Sequence, residues 1–100
     1  MYSVTNPSKI IDFEWDRWNL EKSLKKHKIT PKESEEIFLD KDQLVLKDIK
    51  HSQKEARFNI IGKTTKKKVL FATFTLRSNK VRIISARSAN AKERKLYEKI

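Results

Sequence analysis

Two groups of residues in the second half of the chain have the side-chain types and spacing for chemistry on a phosphate. The first is His51, followed closely by Ser52, Glu55 and Arg57: an imidazole that titrates near neutrality, beside a carboxylate and a guanidinium. Such a set can move a proton and orient the group that carries it. The second is a run of cations, Arg77, Lys80, Arg82 and Arg87, interleaved with Thr73 and Thr75 earlier in the same stretch. A planar guanidinium fork donates two hydrogen bonds to neighbouring phosphate oxygens, so this group suits a polyanion. His27, the other histidine, lies among Lys25, Lys26 and Lys28 and is expected to be a surface residue at a helix end. No His/Asp/Glu cluster has metal-ligand spacing, and no glycine-rich phosphate loop, nucleophile elbow or dinucleotide fingerprint occurs, so neither cofactor nor metal is expected.

Charge is distributed in the same direction. Residues 1–50 hold 10 Lys/Arg against 10 Asp/Glu and residues 51–100 hold 14 against 3, so the whole formal excess of +11 lies in the second half. A one-sided basic protein associates with polyanions, because neutralised phosphates release their condensed counterions. Nucleic acid and an acidic protein partner both satisfy that field, and net charge does not separate them. The 100 residues suffice for one domain with a modest core, since 37% are hydrophobic. Cysteine is absent, which excludes a disulfide scaffold and a thiolate metal site. No apolar run approaches a membrane span, and the start MYSVTNPSK lacks the apolar region of a secretion signal, so a cytoplasmic protein is expected.

The elements that must position these residues follow from periodicity and end signals. Residues 1–9 read as a flexible arm and residues 10–100 as a single domain. Ile10 to Trp15 predicts a strand with Ile11, Phe13 and Trp15 on one face. Asp16 can cap a helix from Arg17 to His27, with Trp15 and Leu20 placed to staple its start and lysines at its C-terminus. Thr30-Pro31-Lys32-Glu33 is a capping box with proline at the first helical position; the helix should end near Leu39 with Ile37 and Phe38 turned to the core. Gln43 to Asp48, Ala56 to Lys63, Val69 to Arg77 and Lys80 to Arg87 predict four further strands, with Lys50 to Glu55 as a loop. Asn90 and Glu93 form a second capping box for a helix from Ala91 to Ile100, with Leu96 and Ile100 on one face. The consecutive strands imply an antiparallel meander covered by helices, an α+β fold.

A two-residue turn at Ser78-Asn79 would set Arg77 opposite Lys80, Thr75 opposite Arg82 and Thr73 opposite Ile84. Leu70, Ala72, Phe74 and Leu76 then share the buried face with Val81, Ile83 and Ser85. The other face gathers Thr73, Thr75, Arg77, Lys80 and Arg82.

Taken together, Phe13-Glu14-Trp15-Asp16, Asn19, Lys26-His27, His51-Ser52 with Glu55, Arg57-Phe58, Ile61-Gly62, Thr75 with Arg77, the block from Val81 to Arg87, and Glu93-Arg94 with Tyr97 resemble the BrnT toxins of bacterial type II toxin–antitoxin systems. The similarity covers residues 10 to 98. It departs from the family at Lys28, where a glycine usually follows the Lys-His pair, and in the stretch PKESEEIF of the second helix. The resemblance implies a RelE-like fold, a ribonuclease activity that halts translation, and neutralisation by a BrnA-type antitoxin with a ribbon-helix-helix part. Contact with DNA would then come only through the antitoxin complex, in which the toxin could be dimeric.

In metal-independent RNA cleavage the 2′-hydroxyl attacks the adjacent phosphate, a base takes its proton, cations stabilise the phosphorane and an acid protonates the leaving oxygen. Arg77, Arg82 and Arg87 are the candidates for charge stabilisation. His51 or Glu55 is the candidate proton carrier, with Arg57 to orient it. Thr75, Lys80, Arg82 and Arg94 are expected to bind RNA. Tyr97 is a weaker candidate acid and is expected to pack against the sheet. A non-catalytic module that binds RNA or DNA through the same basic face is the alternative.

Overall fold

The computed structural model describes residues 12–15, 17–50 and 55–99, and for Arg17 and Leu20 the backbone alone. The expected N-terminal arm, the start of the first strand, the Asp16 cap with its Leu20 staple, His51 and Ile100 therefore lie outside the described side chains. The elements run β1 (Phe13–Trp15), α1 (Arg17–His27), α2 (Pro31–Glu36) continued by a 3-10 turn (Ile37–Leu39), β2 (Leu44–Lys47), β3 (Arg57–Lys63), β4 (Val69–Arg77), β5 (Lys80–Ser88) and α3 (Ala91–Glu98). Strands β2 to β5 form the antiparallel meander expected from their spacing. β1 joins its far side, parallel to β5, so the five-stranded sheet is mixed with order β1-β5-β4-β3-β2.

Both capping boxes form. Thr30 and Asn90 each accept from the amide three residues on, and Glu33 and Glu93 each accept back from the cap amide. Helix α1 ends differently. Lys28 adopts φ 56°, with Lys28 N donating to Leu24 O at 3.0 Å and Ile29 N to Ser23 O at 3.4 Å. The first of these is the bond of a left-handed C-terminal cap, where glycine is the unstrained residue. Lys28 is the position at which the resemblance leads one to expect a glycine.

Helices α1 and α2 cover one face of the sheet. Ile29, Ile37, Ile60, Leu70, Ala72, Phe74 and Ala86 are buried there, with Phe38, Phe58 and Val81 packed against them. The ring of Phe38 stands edge-on to both Phe13 and Phe74, at 5.3 and 5.1 Å between centroids. Ile37 presses so close to β3 that a Cβ on Gly62 would sit 2.8 Å from both its Cβ and its carbonyl oxygen, which is why the chain's one glycine stands there. Trp15 belongs to the same face, its indole N–H donating to Glu35 at 2.9 Å.

The β4–β5 hairpin turns at Ser78 and Asn79, both with positive φ (48° and 68°), as the two-residue turn requires. Arg77 faces Lys80 and Thr75 faces Arg82, as expected. A bulge then intervenes: Phe74 pairs with Ile83 but Thr73 pairs with Ser85, so Ile84 is the extra residue. The expected Thr73–Ile84 pair does not form, and every residue after Ile84 changes face. Ala86 goes to the core, where it is fully buried, and its amide meets the Ser23 hydroxyl at 3.3 Å. Ser85 and Arg87 go to the opposite face; Ser85 is exposed rather than core-facing.

Helix α3 crosses one end of that opposite face. Tyr97, not Leu96, is its buried anchor: Tyr97 is 8% exposed and Leu96 42%. The Tyr97 hydroxyl donates to Asp40 Oδ2 at 2.6 Å, an oxygen that also accepts from the Lys63 amide at 2.8 Å. Burial works to raise the Asp40 carboxyl, but hydrogen bonds from Tyr97 and the Asp42 and Lys63 amides outweigh it and hold the group below its usual range. Burial, with the Asp40 carboxylate, pushes the Tyr97 phenol well above its ordinary range, so it stays protonated. Among the described residues no helix is long and apolar enough to cross a membrane.

Candidate active site on the open face of the sheet

Beyond α3, the face opposite the helices carries polar side chains in register across three strands. Arg57, Thr75 and Arg82 form one row over β3, β4 and β5, and Asn59, Thr73 and Ser85 form the next. The row after that is Ile61, Phe71 and Arg87, at the end covered by α3. On the other side of the Arg57 row lie Arg77 and Lys80, at the hairpin. Glu14 of β1 pairs with Arg82 and extends the first row to the sheet edge. Adjacent strands lie about 4.8 Å apart, so the Cα atoms of Arg57 and Arg82 are separated by about 10 Å, with Thr75 between them.

Among the described residues, Arg87, Arg77 and Lys80 each meet a carboxylate of the same chain. Arg87 donates to both oxygens of Glu93 at 2.8 Å and to the Ser88 carbonyl at 3.2 Å, and its guanidinium lies 4.4 Å from the centroid of the Phe71 ring. Its hydrogen bonds to Glu93 outweigh partial burial and raise its pKa, fixing the charge. Burial works to raise Glu93, while Arg87 and the Asn90 amide together hold it below the ordinary range. Arg77 meets Glu55 at 3.5 Å and Lys80 meets Asp12 at 4.0 Å; both are loose, solvent-exposed pairs of the kind that contributes little and exchanges readily.

Thr75 does not present its hydroxyl as a surface contact. It is 1% exposed and donates to the Ala56 carbonyl at 2.8 Å, tying the loop that precedes β3 to the sheet. Tyr97 packs as expected, away from the arginine row, and its proton is held by Asp40. Arg94 is exposed on α3, next to Glu93. Glu55 and Arg57 lie at the hairpin end of the face, where Asp48 N donates to Arg57 O at 2.8 Å. His51 lies outside the described residues.

Between the rows the face sinks into a concavity of about 440 Å³. Arg57 and Asp48 stand at one side; Asn59, Thr73 and Ser85 form the floor with Ile84 and Phe71. The Thr73 hydroxyl donates to Asn59 Oδ1 at 2.9 Å. Asn59 went unnoticed in the sequence, although an asparagine between Phe58 and Ile60 in a strand is itself a signal, because such residues are depleted there. Asp48 was read only as a strand end. Ser85 was missed because the bulge, not the alternation, puts it on this face. Among the described residues no three His, Cys, Asp or Glu side chains are grouped to hold a metal ion.

The model of a family described as "Ribonuclease toxin, BrnT, of type II toxin-antitoxin system" matches residues 15–93. No individual curated protein matches. The family match runs from the last residue of β1 to the carboxylate that holds Arg87, and so takes in the whole meander that builds the open face; on that ground the chain belongs to the BrnT family of ribonuclease toxins.

Proposed function

We propose that this chain is a toxin that cleaves RNA on the open face of its sheet, by metal-independent attack of a ribose 2′-hydroxyl on the adjacent phosphate. The observation that carries the reading is the Arg57–Thr75–Arg82 row, which flanks a buried strand position with two guanidiniums beside a polar concavity. Two arginines whose Cα atoms lie about 10 Å apart suit a phosphodiester lying between them and the negative charge that grows on its oxygens during attack. Arg77 and Lys80 extend the positive track toward the hairpin, and Arg94 adds a further cation on α3. Arg87 acts from within its clamp of Glu93 and Phe71. His51 or Glu55 removes the 2′-hydroxyl proton, with Arg57 orienting it, and the leaving 5′-oxygen is protonated in return. We read the element order, two helices followed by a meander and a closing helix, as RelE-like, with residues 10–100 forming one toxin domain. A BrnA-type antitoxin with a ribbon-helix-helix part would neutralise the toxin by covering the basic face, and DNA would be met only through that complex.

The test is the chemistry of the ends. Purified protein incubated with RNA in excess EDTA should leave 2′,3′-cyclic phosphate and 5′-hydroxyl termini. Products with 5′-phosphate that form only when a divalent metal is added would remove this mechanism.

A further inference from the structure

We propose that the concavity in the middle of the open face is a nucleobase subsite, in which Asn59, Thr73 and Ser85 read one base beside the scissile phosphodiester. The inference rests on the ribonuclease reading above and adds to it which residues choose the RNA sequence.

Position is the first argument. The Asn59–Thr73–Ser85 row is the register step next to the Arg57–Thr75–Arg82 row, roughly 6.8 Å along the strands. A nucleotide whose phosphate is held by the arginines therefore sets its base, or its neighbour's, over the uncharged row. Size agrees: 440 Å³ falls within the roughly 300–1,000 Å³ of small-ligand sites.

Chemistry is the stronger argument. A groove that only tracked phosphates would continue its cations along the face, as Arg77 and Lys80 do at the hairpin. Here the floor is instead an amide and two hydroxyls, and the amide is pinned. Because Thr73 donates to Asn59 Oδ1, the Asn59 NH2 is the donor left to face a ligand, and the Thr73 oxygen has given up its proton and can accept. Ser85, exposed beside them, does either. Donor, acceptor and a group that serves as both thus stand side by side on three strands about 4.8 Å apart. Base edges are likewise short arrays of donors and acceptors, read in single strands by such groups while the ring stacks on an aromatic or guanidinium plane. Arg87, whose guanidinium carbon lies 4.4 Å from the Phe71 ring centroid, supplies that plane at one end of the floor. The bulge at Ile84 carries both Ser85 and Arg87 to this face, and bulges commonly re-aim side chains at sites.

The experiment sequences the 5′-hydroxyl ends released from a randomised RNA pool by the purified wild-type chain and by Asn59→Ala, Thr73→Val and Ser85→Ala, each first shown to melt cooperatively. Wild type should favour one base at a position flanking the cut. Asn59→Ala should reduce that preference about tenfold, the worth of one neutral hydrogen bond. Thr73→Val, which unpins the amide, should blur the preference in the same direction. Ser85→Ala changes an exposed side chain and keeps the test open if a strand variant fails to fold. A wild-type chain that cuts without base preference, or a preference unchanged in every folded variant, would overturn the subsite and leave the ribonuclease intact. A wild-type chain that cuts no RNA would overturn both.

Discussion

Glu93 accepts three hydrogen bonds at once, two from the Arg87 guanidinium at 2.8 Å and one from the Asn90 amide at 2.9 Å, so replacing it should loosen the site and the helix together. The Glu93 side chain is 14% exposed and that of Arg87 37%, so the pair stands between an open surface bridge and a buried one. Open pairs contribute about 0.2–1 kcal/mol and hydrogen bonds to charged groups about 1.5–3, which puts the Arg87–Glu93 coupling at about 1–2 kcal/mol. The reciprocal cap bond adds about 0.5–1 kcal/mol. Glu93→Ala should therefore lose about 1.5–3 kcal/mol, and the melting temperature should fall by about 6–24 °C for a domain of this size. Glu93→Gln keeps an acceptor for Asn90 and should lose mainly the charged part. The decisive assay is a double-mutant cycle of Arg87→Ala and Glu93→Ala by urea denaturation. A coupling below about 0.3 kcal/mol, within the error of simple additivity, would mean that Glu93 does not hold Arg87 and would refute the clamp.

Five further outcomes follow from the same structure. Lys28→Gly should raise stability by about 0.5–1 kcal/mol, because φ 56° strains any residue with a Cβ; a lower urea midpoint would contradict this. Gly62→Ala should cost about 2–3 kcal/mol by driving a methyl into the Ile37 backbone, and a thermal melt unchanged from wild type would show that the contact is not tight. Tyr97→Phe should cost about 1.5–3 kcal/mol by leaving Asp40 one donor short, without abolishing cleavage; a calorimetric melt and an RNA digest check the two halves. Because the Asp40 carboxyl is depressed in the fold, its stabilisation is complete above its unfolded value of about 3.9 and is lost as pH falls toward the folded one. Asp40→Asn should accordingly flatten the acid limb of stability against pH. Arg77→Ala with Arg82→Ala should reduce the slope of log affinity for single-stranded RNA against log salt by about 1.4, two contacts at about 0.7 each; an unchanged slope would take both residues off the phosphate path.

Local signals carried most of the fold into the sequence. The bounds of α1, both capping boxes and the first two rows of the β4–β5 hairpin were legible, since each depends on neighbours in the chain. What escaped depends on partners far away. Nothing local to Phe13-Glu14-Trp15 reveals that β1 lies parallel to β5. The bulge at Ile84 was hidden because an apolar residue there fits regular alternation equally well, and one inserted residue reversed the faces of Ser85, Ala86 and Arg87. Alternation placed Thr75 on the open face correctly but not its 1% exposure, which comes from the Ala56 carbonyl of another strand's approach. The last helix was read by its leucine and isoleucine, whereas it is a tyrosine with a distant aspartate that seats it.

The position of β1 has a consequence for when this protein becomes dangerous. Among the described strands, the first in chain order is hydrogen-bonded to the last, with Phe13 beside Val81 and Trp15 beside Ile83. Closing so wide a loop is among the slow events of folding. A nascent or prematurely terminated chain that stops short of β5 leaves β1 without its mate and lacks Arg82, Ser85 and Arg87 altogether. The open face of the sheet is therefore complete only once β5 has been added to the chain.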